Sequence, residues 1–183
     1  MPTTTSHARM SLVALGKLDD ALESYAEAIR LDPNNAGTYG DRAQVYDLLR
    51  KPEEGLQDCN RAIELETNCS LFYYNRGCHL FNLNRTEGAL DDFTKGIAIA
   101  PVPAGDLYFN RGAIRFNLGQ VELAIADYSS AIECQPTEFR YEARAKAYAA
   151  LGQSHRAAAD LRRAAELRVP ATSTPASKGK RSK

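Results

Sequence analysis

Nowhere along the 183 residues does an apolar run approach the roughly 18 residues that a membrane span needs. That absence excludes a helical membrane protein at the level of sequence. A surplus of charge is missing too: 23 Lys and Arg balance 23 Asp and Glu. Four cysteines occur, Cys59, Cys69, Cys78 and Cys134, and no two form a CxxC pair. Three histidines, His7, His79 and His155, lie far apart without metal-ligand spacing. The cysteines therefore read as small buried hydrophobes, and no metal or other cofactor is expected. There is no GxxxxGK[ST] phosphate loop, no HExxH and no GxSxG. The carboxylates fall mostly in Asp-Asp or Glu-Glu steps that read as solvated helix faces, so the chain is not expected to be an enzyme. Residues Met1 to Met10 have no apolar core of the signal-peptide kind, which makes the cytoplasm the simplest compartment.

What the chain does have is a pattern that returns five times. A small residue recurs every 33 to 35 positions: Ala21, Gly55, Ala89, Ala124 and Ala157. Seven residues after each stand Ala28, Ala62, Gly96, Ala131 and Ala164. Between them sits a bulky or apolar side chain: Tyr25, Cys59, Phe93, Tyr128 and Leu161. A fixed period of this length means a stack of supersecondary units, each burying its apolar face against the next. The spacing predicts first helices over 6–15, 36–49, 70–83, 105–118 and 138–151. It predicts second helices over 18–31, 52–65, 86–99, 121–134 and 154–168. Glycine or polar residues break each pair, and Pro52 falls at a first helical turn, where its missing N–H costs little.

The third unit reads Tyr73-x2-Arg76-Gly77-x2-Leu80, then Ala89-x3-Phe93, then Pro101. The fourth reads Tyr108-x2-Arg111-Gly112, then Ala124-x3-Tyr128, then Pro136. This resembles the tetratricopeptide repeat, with Arg in place of the usual Leu and Tyr or Thr at the Trp position. The resemblance covers about residues 2–169. It implies an all-α, right-handed α-solenoid of five helix-turn-helix repeats, about 2–35, 36–69, 70–104, 105–137 and 138–169. The first repeat is the weakest: Arg9 replaces the small residue, and Pro2-Thr3-Thr4-Thr5 is a poor helix former, so a frayed start is expected. The last helix is expected to show a polar outer face through Arg156, Asp160, Arg162, Arg163, Glu166 and Arg168. Residues 170–183 lack apolar periodicity and read as a disordered basic tail. Lys178, Lys180, Arg181 and Lys183 give it +4, leaving −4 on the rest, too little positive charge for firm contact with nucleic acid or a membrane.

Comparison of the units yields a second pattern. Directly before the small residue of the first helix stand Ala8, Arg42, Arg76, Arg111 and Arg144. Near the middle of the second helix stand Ser24, Asp58, Asp92, Asp127 and Asp160. The unit without the arginine also lacks the aspartate, which predicts four Arg–Asp pairs within units. The planar guanidinium suits a carboxylate at two points.

Solenoids of the resembled family line a concave surface with their first helices. On that stripe, units three and four repeat one set: Tyr74, Asn75, Phe81, Asn82 and Phe109, Asn110, Phe116, Asn117. Asn offers a donor and an acceptor, matching the backbone of an extended peptide, and rings cover apolar side chains. The set looks like the asparagine ladder of some family superhelices. A packing or helix-capping role for the same residues is the alternative. The expected function is a protein–protein interaction adaptor that binds an extended peptide or helix in the concave groove, at about micromolar strength. Self-assembly through the repeat edges, with no groove in use, is the second reading. Family members that hold acidic chaperone tails use Lys, Arg and Asn on three successive first helices. Here the corresponding positions carry Gly40 and Gln44, then Asn75, then Asp106 and Asn110, so such tails are disfavoured. Asp41, Asp47, Asp106 and Glu142 against Lys146 favour neutral to basic partners.

Overall fold

The computed structural model describes residues 3–100 and 104–168, with side chains described from Arg9 onward. Among the described residues it contains ten helices and no strand. The first helices are α1 (Thr3–Ala14), α3 (Ala36–Leu48), α5 (Ser70–Asn82), α7 (Gly105–Asn117) and α9 (Glu138–Ala150). The second helices are α2 (Leu18–Leu31), α4 (Pro52–Leu65), α6 (Thr86–Ile99), α8 (Val121–Cys134) and α10 (Ser154–Arg168). The molecule is an all-α solenoid of five helical hairpins, as expected. The second helices match the sequence expectation residue for residue. Helix α1 starts at Thr3, so Thr3, Thr4 and Thr5 of the segment expected to fray are helical and the helix begins three residues earlier than the spacing predicts. The proposed tail at 170–183 lies outside the described residues, as do the side chains of Ser6 and His7.

Each first helix ends one residue earlier than the pattern implied, and one local device explains all five. The chain closes with a left-handed residue at Gly16, Arg50, Asn84, Gly119 and Gly152. In the second unit the Arg50 N–H donates to the Asp47 carbonyl and the Lys51 N–H to the Tyr46 carbonyl. The same paired bonds recur in every other unit, so the orphan carbonyls at each helix end are satisfied. Glycine enters this conformation without steric cost, and asparagine tolerates it. Arg50, at φ 57°, has neither advantage. Arg50→Gly is therefore expected to stabilise the protein by about 0.5–1 kcal/mol, seen as a higher urea midpoint with an unchanged slope.

Within each unit the small residue lets the two helices touch. A Cβ on Gly77 would stand 2.6 Å from the Phe93 ring, and one on Gly112 would stand 3.0 Å from Tyr128. The buried rings Tyr25, Phe93 and Tyr128 then pack against the next unit, beside Val45, Ile114 and Ala147 respectively. Leu161 holds the same position in the last unit and is 52% exposed, because no further helix among the described residues covers it. The expected polar outer face of α10 needs correction on two counts. Asp160 is buried and takes two bonds from Arg144, and Arg168 turns back to Glu138 and Glu142 on α9.

All four Arg–Asp pairs form, each through two guanidinium nitrogens. The shortest distances are 2.6 Å for Arg42–Asp58, 2.8 Å for Arg76–Asp92, 2.7 Å for Arg111–Asp127 and 2.8 Å for Arg144–Asp160. The aspartates are buried and the arginines are not. Each guanidinium also lies over a tyrosine three residues upstream: Tyr39, Tyr73, Tyr108 and Tyr141. A third nitrogen reaches into the preceding unit. Arg76 donates to Asn60, Arg111 to Thr94 and Arg144 to Ser129. The pairs are thus rungs within units and tie rods between them.

Helix α3 packs on α5, and α7 on α9, while no two second helices approach each other to the same extent among the described residues. First helices that crowd together while second helices splay apart put the first helices on the inner wall of the curve.

Candidate interaction groove

Two open clefts run along that inner wall. One, of about 370 Å³, lies between α1, α3 and α5 and includes Met10, Val13, Asp41, Leu48, Leu71 and Tyr74. The other, of about 450 Å³, lies between the opening turns of α5, α7 and α9 and the end of α8 and includes Leu71, Tyr74, Asp106, Cys134, Gln135 and Arg140. Leu71 and Tyr74 border both clefts, which therefore meet at the start of α5. Met10, Leu48 and Leu71 are 61%, 56% and 46% exposed, which leaves apolar side chains of the first cleft in water.

The residues singled out from sequence fall in several environments. Tyr74 is half-buried, with its ring 6.3 Å from that of Phe93, and burial pushes its phenol up to about 12. Asn75 is 6% exposed and donates to the Gly40 carbonyl at 3.4 Å. Phe81 and Asn82 are exposed, and Asn82 donates to the Asp47 carboxylate at 3.2 Å. Phe109 is half-buried, 5.6 Å from the Tyr128 ring and edge-on to Phe139 at 5.1 Å. Phe116 packs with it on Ala124, Tyr128 and Ala147. Asn110 donates weakly to the Cys78 sulfur at 3.8 Å, and Asn117 is exposed. Three of the four asparagines therefore bond backwards to the preceding first helix. Their amides tie successive first helices together, and of the eight residues Tyr74 and Asn75 line the clefts described above.

The sequence reading also missed two buried residues that shape the groove. His79 is 1% exposed and occupies the position held by Val45, Ile114 and Ala147 in other units. Its Nε2 bonds the Ala43 carbonyl at 3.1 Å, which makes Nε2 the protonated nitrogen, and Nδ1 has no partner. Its place in the repeat is visible in the sequence, but a lone histidine at a core position carries no signal of its role. Arg140 is 1% exposed and donates to the Ala131 and Gln135 carbonyls at the end of α8 and to Asp106 on α7. Arg168 binds Glu138 and Glu142 in the same manner. The acidic side chains at the C-terminal end of the groove are thus already compensated.

Burial pushes the His79 imidazole below its ordinary 6.5. As pH falls through about 6.5 the unfolded chain takes up this proton and the folded chain does not, so stability falls with pH in that window. His79→Val is expected to flatten the stability profile between about pH 7 and 5, measured by urea unfolding at several pH values. The thiols are held the other way: burial raises Cys59 to about 12 and Cys78 to about 11, so both stay protonated at neutral pH. Among the described residues no group of three or more His, Cys, Asp or Glu side chains is placed to hold a metal ion. None of the described helices is long and apolar enough to cross a membrane.

Stacked helical hairpins with a groove along one wall define a helical-repeat protein. Family models for the TPR repeat match residues 11–48 and those for the tetratricopeptide repeat match residues 72–139, and the chain belongs to the tetratricopeptide repeat family. The Hsp70-Hsp90 organizing protein of Triticum aestivum is 33% identical over 85 residues, 46% of this chain and 15% of that protein. RNA polymerase II-associated protein 3 of Rattus norvegicus is 35% identical over 86 residues, 47% of this chain and 13% of that protein. The chain thus spans a small fraction of the length of these curated relatives. Among solved structures, PilF of Pseudomonas aeruginosa superposes with a TM-score of 0.84 at 14% identity, covering 91% of this chain and 76% of that one. YrrB, described as a TPR protein with an unusual peptide-binding site, gives 0.70 at 19% identity, covering 92% and 87%. At these identities the shared property is the fold.

Proposed function

We propose that this protein is an interaction adaptor whose inner groove receives an extended segment or a helix of a partner protein. The observation that supports the reading is the pair of open clefts that share Leu71 and Tyr74, with Met10, Leu48 and Leu71 exposed along the first of them. Contiguous apolar surface on a soluble repeat favours a partner that covers it. Tyr74, Phe81, Asn82 and Asn117 contact the segment directly. Asn75, Asn110, Phe109 and Phe116 contribute mainly by holding the wall in shape. The relatives named for chaperone and polymerase assemblies, and the peptide site named for YrrB, agree with a protein partner. Neutral or basic segments suit the groove better than acidic tails, because it exposes carboxylates and its arginines are engaged.

Leu71→Lys tests the reading, since Leu71 is exposed and central to both clefts. Affinity capture with the wild type and the variant side by side is expected to lose the specific partners with the variant, at equal melting temperature. An identical set of captured proteins would remove the groove from consideration. Self-assembly through a repeat edge is favoured by one feature, the exposed Leu161 on the face that other units use for packing. A sedimentation mass that rises with concentration and drops for Leu161→Asp would select that reading.

A further inference from the structure

Acid is unevenly compensated along the inner wall. At the C-terminal end Arg140 holds Asp106, and Arg168 holds Glu138 and Glu142. In the cleft between α1, α3 and α5 the carboxylates of Asp41 and Asp47 form no ion pair within 4.0 Å among the described residues. Asp47 accepts the neutral amide of Asn82. Among the described residues no lysine or arginine lines this cleft. Arg9, buried over the Tyr25 ring, lowers the Asp41 carboxyl less than burial raises it. His79, which also lines the cleft, is neutral at physiological pH and does not oppose a second cation. Beside the two acids the walls are aliphatic: Val13, Leu48 and Leu71. Asp41 is half-buried and Asp47 is exposed. A half-buried carboxylate without a close counter-ion gains more from an incoming cation than a solvated one does, so Asp41 is the stronger contact and Asp47 adds to its field.

We infer that this cleft is the anchor point for a partner segment that carries a bulky apolar side chain next to a lysine or arginine. The apolar side chain enters against Val13, Leu48 and Leu71, and the cation meets Asp41 and Asp47. The inference rests on the groove reading above and adds the position and chemistry of the anchor, which falls in the first three units rather than in units three and four.

The test is a selection of random twelve-residue peptides displayed on phage against the full chain, followed by fluorescence-polarisation titration of the enriched peptides. The expected consensus places an aliphatic or aromatic residue within two positions of Lys or Arg. Asp41→Asn combined with Asp47→Asn is expected to weaken those peptides at least tenfold and to remove most of their salt dependence. Glu54→Gln combined with Glu64→Gln, on exposed sites of α4, is expected to leave affinity unchanged. Circular dichroism melting of each variant separates lost binding from lost folding. A consensus without basic residues, no enrichment at all, or a less than twofold effect of the aspartate substitutions overturns the anchor. If binding then still disappears with Leu71→Lys, the groove reading stands without it. If Leu71→Lys changes nothing, the groove reading itself fails.

Discussion

Asp127→Ala is expected to lower the unfolding free energy by about 3–5 kcal/mol, the range for stripping one partner from a buried ion pair. Asp127 is 3% exposed and accepts three charged hydrogen bonds. Arg111 donates through Nε at 3.0 Å and Nη2 at 2.7 Å, and Arg115 through Nη1 at 2.8 Å. The side chains of Arg111 and Arg115 are 12% and 22% exposed, so water replaces the lost carboxylate poorly. Asp58→Ala removes bonds from one arginine instead of two and should cost less. Replacing the whole cluster, with Arg111→Met, Arg115→Met and Asp127→Leu together, should recover most of the loss, because the desolvation of the charges disappears with them. Urea unfolding measures each change. Hydrogen exchange should place it in α7 and α8 first, since a repeat contacts mainly its neighbours.

Gly55→Ala is expected to destabilise by about 1–2 kcal/mol net, against the sign of helix propensity. Alanine in a helix interior normally gains up to about 1 kcal/mol over glycine. At Gly55 the added Cβ would stand 2.2 Å from Cε1 of the buried His79 ring, and overpacking of this kind costs about 1–3 kcal/mol or more. The other units show the remedy. Ala21 lies beside Val45, Ala89 beside Ile114 and Ala124 beside Ala147, whereas Gly55 lies beside His79. The glycine and the histidine are one exchange made across two units. Gly55→Ala with His79→Ile recreates the Ala89–Ile114 pairing and should restore stability to the wild-type level or above. A double-mutant cycle measures the coupling. Additive effects of the two substitutions would show that the histidine had yielded to the new methyl group.

The hairpins were legible in the sequence because their determinants are local or repeat in phase. Small residues at Gly77 and Ala89 mark where helices touch, and the missing Arg and Asp of the first unit point to the pairs in the other four. The polar ladder was only half legible. The bonds from Arg76 to Asn60, Arg111 to Thr94 and Arg144 to Ser129 cross between units, and their acceptors are three different residue types. The groove was the least legible part. A helical stripe says which residues share a face of one helix. It does not say which of them a neighbour has already engaged.

The amino-acid order by itself determined the period, the ten helices and the within-unit ion pairs, since each depends on spacing along one hairpin. The tertiary structure decided which side chains of the inner wall remain available. Asn75 meets Gly40 across 35 residues, His79 meets Ala43 across 36 and Asn110 meets Cys78 across 32. Contacts at that separation are set by the rotation of one hairpin on the next, and it is this rotation that closes the wall around Asn75 and leaves Asp41, Leu48 and Leu71 facing the groove.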